Sequence, residues 1–599
     1  MTGHSPSVPL TDRVPGTVPT RTPSAIPTRE PSAVDAVAEA HAQGLLDLHP
    51  SLHVELGVPG METELDDLSP AAAEADHALR TRTLAALAEA EAQARAAGTL
   101  DEVDEVTLDV MRERLGIENE MHDAGLDRGV LNVIASPVPN VRDFFDNVPT
   151  ATATDWEHNA ARLGKVAQAF AGYKEDLVSA RELGRVPALR QVEKVAAQAD
   201  LAAADGGHFD RFVAGAGEAG TSASLQEELR SRAAEAKAAF ADIAAFLRTE
   251  VAPTARTTDA VGRDEYALHS RYFLGAAVDL EETYAWGLEE LARIDAEQRA
   301  TAEKLYPGEF SPEEAVWGAM KKLDADPARK IHGLDGLRAW IQETADTALA
   351  AVDGVHFDIP DVMRTVEAMV LPNGTGGIYY TPPSSDFSRP GRVWWSVPAG
   401  VEEFTTWQER TTVNHEGVPG HHLQFGVAAY LQGTLNTWRR NMCWVSGHGE
   451  GWALYSEKFM AEIGLMDEPG DYMGMLDSQR LRASRVALDI GVHLGLPAPE
   501  SIGGGTWNPD NAWQFLTDNV AMDRSFLAFE LDRYLGWPGQ APSYKIGQRL
   551  WEESRETARA AAKAAGKEFS LKDFHMRALS LGSVGLNTLT RALVRGAQA

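Results

Sequence analysis

The chain has 599 residues, 44% of them hydrophobic, which is enough to build a sizeable core in one large domain or in several smaller ones. Its 88 acidic residues outnumber 55 basic ones, so the formal net charge is -33, and nucleic acids and anionic membranes are poor candidate partners. The one cysteine, Cys443, excludes an intramolecular disulfide and a cysteine-rich zinc site and suits a reducing compartment.

The first 30 residues are rich in proline, serine and threonine and contain few large apolar side chains, so we predict a disordered tail over residues 1–30. The N-terminus lacks the basic and apolar regions of a signal peptide. No uncharged apolar run reaches the roughly 18 residues of a membrane span. We therefore expect a cytoplasmic protein in which residues 31–599 form a single domain; nothing in the sequence indicates its oligomeric state.

Helical periodicity dominates the chain after the tail, and long amphipathic helices are predicted over residues 66–98, 154–202, 222–250 and 279–305. The pattern changes near Leu371. There a glycine-rich turn at residues 373–377 precedes two β-prone runs, Ile378–Thr381 and Arg392–Val397. The predicted fold is mainly α, with a helical half (31–360) and a second half (361–599) in which a small β-sheet directly precedes a histidine cluster.

The cluster His415-Glu416-Gly417-Val418-Pro419-Gly420-His421-His422 resembles a helical zinc motif with altered spacing. In the regular His-Glu-x-x-His motif, the two histidines are four residues apart and about 6 Å apart along the helix axis, so both reach one ion. Here the fourth position is Pro419, which interrupts a helix. A two-residue bulge would place His421 as the second ligand, which we favour, and a three-residue bulge would place His422. An ordinary helix kink with surface histidines is the alternative.

A third ligand is expected in Gly449-Glu450-Gly451, where flanking glycines allow the carboxylate a close approach. Glu457, seven residues later on the same helix face, could accept a hydrogen bond from a ligand histidine. His448 is a further candidate. Two histidines and one carboxylate would leave an open position for water, whose proton Glu416 could accept.

With these residues in place, the sequence resembles the bacterial family named domain of unknown function 885, which is grouped with zincin-like metallopeptidases. The resemblance rests on the histidine cluster and on five further segments, which are Ser388-Arg389-Pro390-Gly391, Glu450-Gly451-Trp452-Ala453, Arg482-x-x-Arg485-x-x-x-Asp489-x-Gly491-x-His493, Ser543-Tyr544-Lys545 and Asp573-Phe574-His575. It implies a large helical zincin-like fold with a deep cleft, similar in outline to thimet oligopeptidase and angiotensin-converting enzyme, and Zn²⁺ as the cofactor.

The resemblance also suggests roles for residues late in the chain. Tyr544 is the candidate donor to the oxyanion of the reaction, and packing with a locally satisfied hydroxyl is the alternative. Arg485 could clamp a substrate carboxylate, although i, i+4 pairs of Arg485 with Asp489 and of Asp489 with His493 would form a purely structural network. His575 is a further candidate for supporting the metal site or binding substrate.

These features predict a zinc-dependent hydrolase that cleaves peptide or peptide-like amide bonds, with Glu416 transferring the proton. The strand at residues 392–397 is expected to pair with an extended substrate. Two alternatives use the same residues. Two histidines and a carboxylate also form the iron site of non-haem oxygenases, in which Glu416 has no obligatory role. A non-catalytic scaffold that binds peptides or a protein partner is the other.

Overall fold

The computed structural model describes residues 26–372 and 377–598, and within these ranges the chain is mainly helical, as the sequence predicts. The helices of the first half are α1 (Ala33–Leu48), α2 (Pro50–Leu56), α3 (Pro70–Ala97), α4 (Glu102–Asp123), α5 (Pro137–Asn147), α6 (Ala153–Leu163), α7 (Val166–Glu182), α8 (Leu189–Ala203), α9 (His208–Ala214), α10 (Ala223–Phe246), α11 (Arg263–Leu274), α12 (Leu280–Leu305), α13 (Ala315–Ala325) and α14 (Leu334–Val352). Those of the second half are α15 (Thr406–Glu416), α16 (His421–Tyr430), α17 (Ser446–Glu462), α18 (Pro469–Leu494), α19 (Pro509–Asn519), α20 (Arg524–Gly536), α21 (Ser543–Ala564), α22 (Leu571–Ser580) and α23 (Leu586–Gln598).

The predicted helical segments contain helices, with one segment divided into three. Residues 154–202 hold α6, α7 and α8, because Gly184, with φ of 76°, and Pro187 end the helical path after α7. Of the predicted tail, residues 1–25 lie outside the described ranges. The end of the predicted tail contacts the rest of the chain. Thr28 forms a β-bridge with Gly433, and the Arg29 guanidinium is 2.6 Å from Asp101.

Two small sheets interrupt the helices. β1 (Lys330–His332) pairs with β5 (Glu403–Thr405), and the larger sheet has the order β2 (Val366–Pro372), β4 (Gly391–Val397), β3 (Ile378–Thr381). β4 is parallel to β2 and antiparallel to β3. Both predicted strands are present as β3 and β4, whereas β1, β2 and β5 are additions. Residues 373–376 of the predicted turn lie outside the described ranges. Because β4 is paired on both sides, the expectation that it pairs with substrate is wrong, and β3 lies at the edge.

Packing against this sheet positions the histidine-bearing helix. Val413 of α15 is fully buried in a small core with Val393 of β4 and Leu337 of α14. On its other sides α15 contacts α17 and α18, and α17 in turn packs along α21. The residues that end α15 therefore face the junction of α16, α17, α18 and α21, and this junction contains the site described next.

Candidate metal centre

The histidine cluster spans a break between two helices. α15 ends at Glu416, residues 417–420 form a turn, and α16 begins at His421. Gly420 is required in this turn, because a Cβ atom there would lie 1.8 Å from the carbonyl oxygen of His415. The predicted bulge inside one continuous helix is therefore wrong. The chain leaves one helix and starts another, which Pro419 favours because it cannot donate a helical hydrogen bond.

The turn brings His421 beside His415, and α17 brings Glu450 to both. The ring centroids of the two histidines are 5.0 Å apart with nearly perpendicular planes. Glu450 Oε2 lies 3.4 Å from His415 Nε2 and 3.7 Å from His421 Nε2. Within the described ranges, these three residues are the one group of histidine, cysteine or acidic side chains whose ligand atoms all lie close enough, within 4.8 Å, to hold a metal ion.

Hydrogen bonds behind the triad orient both imidazoles. The Nδ1 of His415 lies 2.8 Å from Glu457 Oε1, and Glu457 also accepts from Thr411 at 2.7 Å and from Ser478 at 3.0 Å. Because Nδ1 donates to this carboxylate, Nε2 is the ring nitrogen that faces Glu450 and that would bind a metal ion. Glu457 thus occupies the supporting position that its spacing from Glu450 suggests.

His421 is oriented in the same way by an amide. Its Nδ1 lies 3.2 Å from Gln424 Oε1, and Gln424 Nε2 lies 3.2 Å from His448 Nδ1. His448 therefore lies behind the triad and is not among the three close donors. Burial lowers its pKa to about 3, so the ring stays neutral and can accept the amide hydrogen.

The charges of the triad favour a bound cation. Burial alone lowers the pKa of His415, but contacts with Glu450 and Glu457 outweigh it and raise this pKa to about 10. Burial likewise raises the pKa of Glu450, but the two histidines outweigh it and hold the pKa below its usual range. The pKa of Glu416, next to the triad, is raised by burial. Negative charge from Glu450 and Glu457 thus lies beside the imidazoles.

Close packing of α17 on α21 sets the position of Glu450. A Cβ on Gly451 would lie 2.5 Å from the backbone of Gly547, so glycine at both positions lets the helices approach. The sequence pattern predicts such an approach at the flanking glycines. The same contact brings Tyr544, in the first turn of α21, to the cavity that contains Glu450.

The cavity at the triad has a volume of about 350 Å³. Its lining includes the triad, Glu416, Tyr544 and two arginines, together with Ile378, Tyr379, Tyr380, Phe425 and Trp444. A larger cavity of about 500 Å³ lies elsewhere, lined by residues that include Arg80, Arg256 and Trp537, and it contains none of the triad. We take the smaller cavity as the candidate site, because it holds the metal-ligating group and a buried carboxyl together.

His422 faces away from the triad. Its Nε2 lies 2.7 Å from the carbonyl oxygen of Met363, and its Nδ1 lies 2.9 Å from the hydroxyl of Tyr380. Both ring nitrogens are therefore engaged, and the ring is fully buried. The structure thus places His421, and not the alternative His422, next to His415 and Glu450.

Arg485 lines the cavity, but its guanidinium is already paired. It lies 2.7 Å from Glu530 and 2.7 Å from the hydroxyl of Tyr534, both on α20. The guanidinium also lies over the ring of Tyr544, 5.0 Å from its centroid. Arg485 therefore holds α18, α20 and Tyr544 together, and the predicted pairing with Asp489 is not formed.

Asp489, His493 and His575 have structural partners of their own. Asp489 accepts from the hydroxyl of Tyr266 at 2.6 Å and from the backbone N–H of Gly539 at 2.9 Å. The Nε2 of His493 lies 2.9 Å from the carbonyl oxygen of Tyr534. The predicted Asp489–His493 pair is wrong, because each residue bonds instead to a distant part of the chain. His575 lies 2.9 Å from the hydroxyl of Tyr455 and stacks on Phe357, away from the triad.

Several residues at the site were given no role by the sequence reasoning. Thr411 precedes His415 by four residues and Gln424 follows His421 by three, so helical spacing could have indicated both. Arg482 precedes Arg485 by three and shares its helix face, yet the sequence offers no reason to prefer either arginine. The aromatic lining of the cavity comes from three separate elements and carries no sequence signal.

Comparison with known proteins confirms the family named in the resemblance. Residues 50–593 match the model of a family described as "Bacterial protein of unknown function (DUF885)". The chain belongs to this family. No curated protein matches the chain significantly.

Solved structures share its fold. A "putative lipoprotein" from Colwellia psychrerythraea is 20% identical, with a TM-score of 0.76 over 94% of this chain and 98% of that one. A "putative lipoprotein of unknown function" from Shewanella oneidensis is 17% identical, with a TM-score of 0.72 over 94% of this chain and 100% of that one. At these identities the likeness concerns the fold alone. Along the described ranges, no helix combines the length and the apolar character needed to cross a membrane.

Proposed function

We propose that this protein is a zinc-dependent hydrolase of the zincin type that cleaves peptide or peptide-like amide bonds. The observation that carries the proposal is the convergence of His415, His421 and Glu450 in one cavity with the buried carboxyl of Glu416. A hydrolase needs both parts, because the ligands hold a metal ion and an adjacent carboxyl transfers protons.

The donor set suits Zn²⁺. Zinc prefers imidazole nitrogen and carboxylate oxygen, and bonds of about 2.0–2.1 Å in a tetrahedron separate neighbouring ligand atoms by about 3.4 Å. The two distances from Glu450 Oε2 to the imidazole nitrogens, 3.4 and 3.7 Å, are close to this value. His415, His421 and Glu450 would hold the ion. When bound, it supplies Lewis acidity toward a carbonyl oxygen and lowers the pKa of water.

Glu416 is assigned the proton transfers. It follows His415 directly at the end of α15, and its side chain lines the cavity. Burial raises the pKa of Glu416, and such a carboxyl can both accept a proton from the attacking water and return it to the leaving amine. A carboxyl with the ordinary, low pKa would be a weaker base. At neutral pH it would not keep the proton for transfer to the leaving amine.

Tyr544 is assigned the stabilisation of the oxyanion. Its ring lines the cavity, where Arg485 packs against it, and its hydroxyl has no hydrogen-bond partner within residues 26–372 and 377–598. A free donor that is already positioned can bond to a charge that develops only during the reaction. Burial, followed by the charge of Glu450, raises the pKa of Tyr544, so the hydroxyl stays protonated as this role requires.

The edge strand supports a peptide as substrate. β3 pairs only with β4 in its sheet, and three of its residues, Ile378, Tyr379 and Tyr380, line the cavity. An extended peptide can add to such an edge through backbone hydrogen bonds. The small cavity favours short peptides. A cytoplasmic location and the absence of nucleic-acid partners are also part of the proposal, and fractionation of the producing cells would test the first.

Metal analysis of protein purified without added metal, together with digestion of a peptide library, tests the proposal. We expect about one zinc per chain and cleavage that Glu416→Gln abolishes while zinc is retained. Glu462→Gln, at the other end of α17 and far more exposed, is the matched control and should cleave normally. Loss of zinc in Glu416→Gln would make Glu416 a ligand and refute its role. Iron in place of zinc would favour an oxygenase, and bound zinc without any cleavage would favour a peptide-binding scaffold.

A further inference from the structure

Two chemically different groups of side chains flank the triad. On the side of His421, the rings of Tyr380, Phe425 and Trp444 stack in a row, with centroid separations of 6.0 and 5.4 Å and planes within 16° of parallel. Phe425 and Trp444 both contact the ring of His421. Trp444 is 43% exposed, so an apolar surface remains open beside the ligands.

The other group is cationic and lies on the side of His415. Ser478 donates to Glu457, which orients His415, and the same hydroxyl accepts from Arg482 at 2.8 Å. Arg482 is therefore linked to His415 only through Ser478 and Glu457, and its side chain lines the cavity. The cavity that holds the triad is therefore lined by both an aromatic surface and a guanidinium.

Arg482 has no acidic partner within 4 Å in the described part of the chain, whereas Arg485 is bound to Glu530. Its hydrogen bonds go only to the side chain and backbone of Ser478, and its Nε is buried without a partner there. Arg482, Arg485 and Arg533 all act electrostatically on Tyr544, and one carboxylate, Glu530, serves the last two. Of these three arginines, Arg482 is the one with no carboxylate within 4 Å in the described part of the chain.

A half-buried guanidinium with no carboxylate in contact can be matched by an anion that arrives with the ligand, because a carboxylate accepts charge-assisted hydrogen bonds from it. We propose that Arg482 binds a carboxylate of the substrate, and that the aromatic row Tyr380–Phe425–Trp444 receives an apolar side chain of the same molecule. This inference rests on the proposed hydrolase function. It names the substrate class as short peptides that carry one carboxylate and one apolar or aromatic residue around the cleaved bond.

Binding of the substrate carboxylate, first expected of Arg485, is assigned to Arg482 for a physical reason. Freeing Arg485 for substrate would leave Glu530 with one arginine fewer in a buried setting, which costs free energy. Binding at Arg482 breaks no ion pair. The carboxylate can be the C-terminus of the peptide or an acidic side chain, and both offer the same planar pair of oxygens.

The test compares the zinc-loaded wild type with Arg482→Gln on matched peptides. Each peptide is made as the free acid and as the C-terminal amide, and each glutamate is exchanged for glutamine in a second series. We expect kcat/KM of the wild type to fall about 10- to 100-fold when the recognised carboxylate is removed, because one charge-assisted hydrogen bond contributes about 1.5–3 kcal/mol. The series that shows the fall identifies the C-terminus or the side chain as its source.

In Arg482→Gln this preference should disappear, mainly through a higher KM for the carboxylate peptide, so that the acid and the amide are cleaved with similar kcat/KM. Arg482→Lys should restore part of the preference. Arg559→Gln, an exposed arginine on α21, is the control and should keep it in full. Zinc content and thermal unfolding are measured for each variant, so that misfolding is recognised. An undiminished preference in folded Arg482→Gln, or equal rates of the wild type on all carboxylate and neutral pairs, would overturn the inference.

Peptide binding separates this inference from the function on which it rests. Calorimetric titration of zinc-loaded Glu416→Gln with the free-acid and amide peptides needs no turnover. Tighter binding of the acid that disappears in the Arg482→Gln, Glu416→Gln double variant supports the carboxylate site even if no peptide is cleaved. Equal binding of acid and amide overturns it even if the protein is an active peptidase.

Trp444→Ala tests the aromatic half. It should lower kcat/KM for peptides with phenylalanine beside the cleaved bond far more than for those with alanine, since it removes an exposed ring from the row. An equal effect on both peptides would exclude the row as a binding surface.

Discussion

Replacing Glu457 by glutamine tests how the triad is held. The side chain is 1% exposed, and its carboxylate accepts three hydrogen bonds, of which the one from His415 is 2.8 Å long. Glu457→Gln keeps the shape but removes the charge. It also replaces one acceptor oxygen of the side chain by an NH2 group, which donates. That NH2 group would have to lie against N–H or hydroxyl groups that donate as well. His415 becomes a weaker ligand, because its Nδ1–H no longer bonds to an anion.

The magnitude follows from this hydrogen bond. A bond to a charged group contributes about 1.5–3 kcal/mol, and about 1.4 kcal/mol corresponds to a factor of ten in an equilibrium constant. This agrees with the loss of about 10- to 100-fold in metal affinity that is typical when the carboxylate behind a ligand histidine is removed. We therefore expect Glu457→Gln to bind zinc about 10- to 100-fold more weakly than the wild type.

The assay is a zinc titration of the apo protein in competition with a chromophoric chelator at neutral pH. Glu462→Gln, on the same helix, should bind zinc as tightly as the wild type. Thermal unfolding of the apo proteins shows whether Glu457→Gln is folded. Wild-type zinc affinity in a folded Glu457→Gln would refute the assignment of Glu457 as the group that orients and activates His415.

Three further predictions concern neighbouring residues. His421→Ala should abolish zinc binding, whereas His422→Ala should retain zinc but lose stability, because it leaves two buried polar partners unpaired at about 1–3 kcal/mol each; the reverse pattern in a zinc titration would assign the ligand to His422. Tyr544→Phe should lower kcat about 10²- to 10³-fold with little change in KM, and a kcat within about threefold of wild type would exclude a role as oxyanion donor. Arg485→Met should reduce the free energy of unfolding by at least about 1.5–3 kcal/mol, since Glu530 loses a charge-assisted bond, and unchanged stability in denaturant unfolding would contradict that role.

The sequence alone determined the kinds of groups at the site and much of their placement. His415, Glu416, Glu450 and Glu457 could be named because each depends on local relations, such as adjacency in the chain, flanking glycines or a spacing of seven residues along one helix. The mainly helical fold and the two strands before the cluster follow from hydrophobic periodicity and from β-branched and aromatic runs, which are likewise local. Local rules suffice where the backbone is regular between the residues concerned.

The tertiary structure decided what lies beyond regular backbone. Residues 417–420 leave the helical path, so helical periodicity could not choose between His421 and His422, and only the course of the turn did so. Glu530, the partner of Arg485, lies 45 residues away on α20. Because of that contact, and not because of spacing on α18, Arg482 is the one of these two arginines without an acidic partner in the described ranges. The central place of β4 depends likewise on β2, a strand that the sequence pattern did not reveal. In each case the outcome depends on which distant segment packs alongside, and the free energy of that packing is absent from any local pattern.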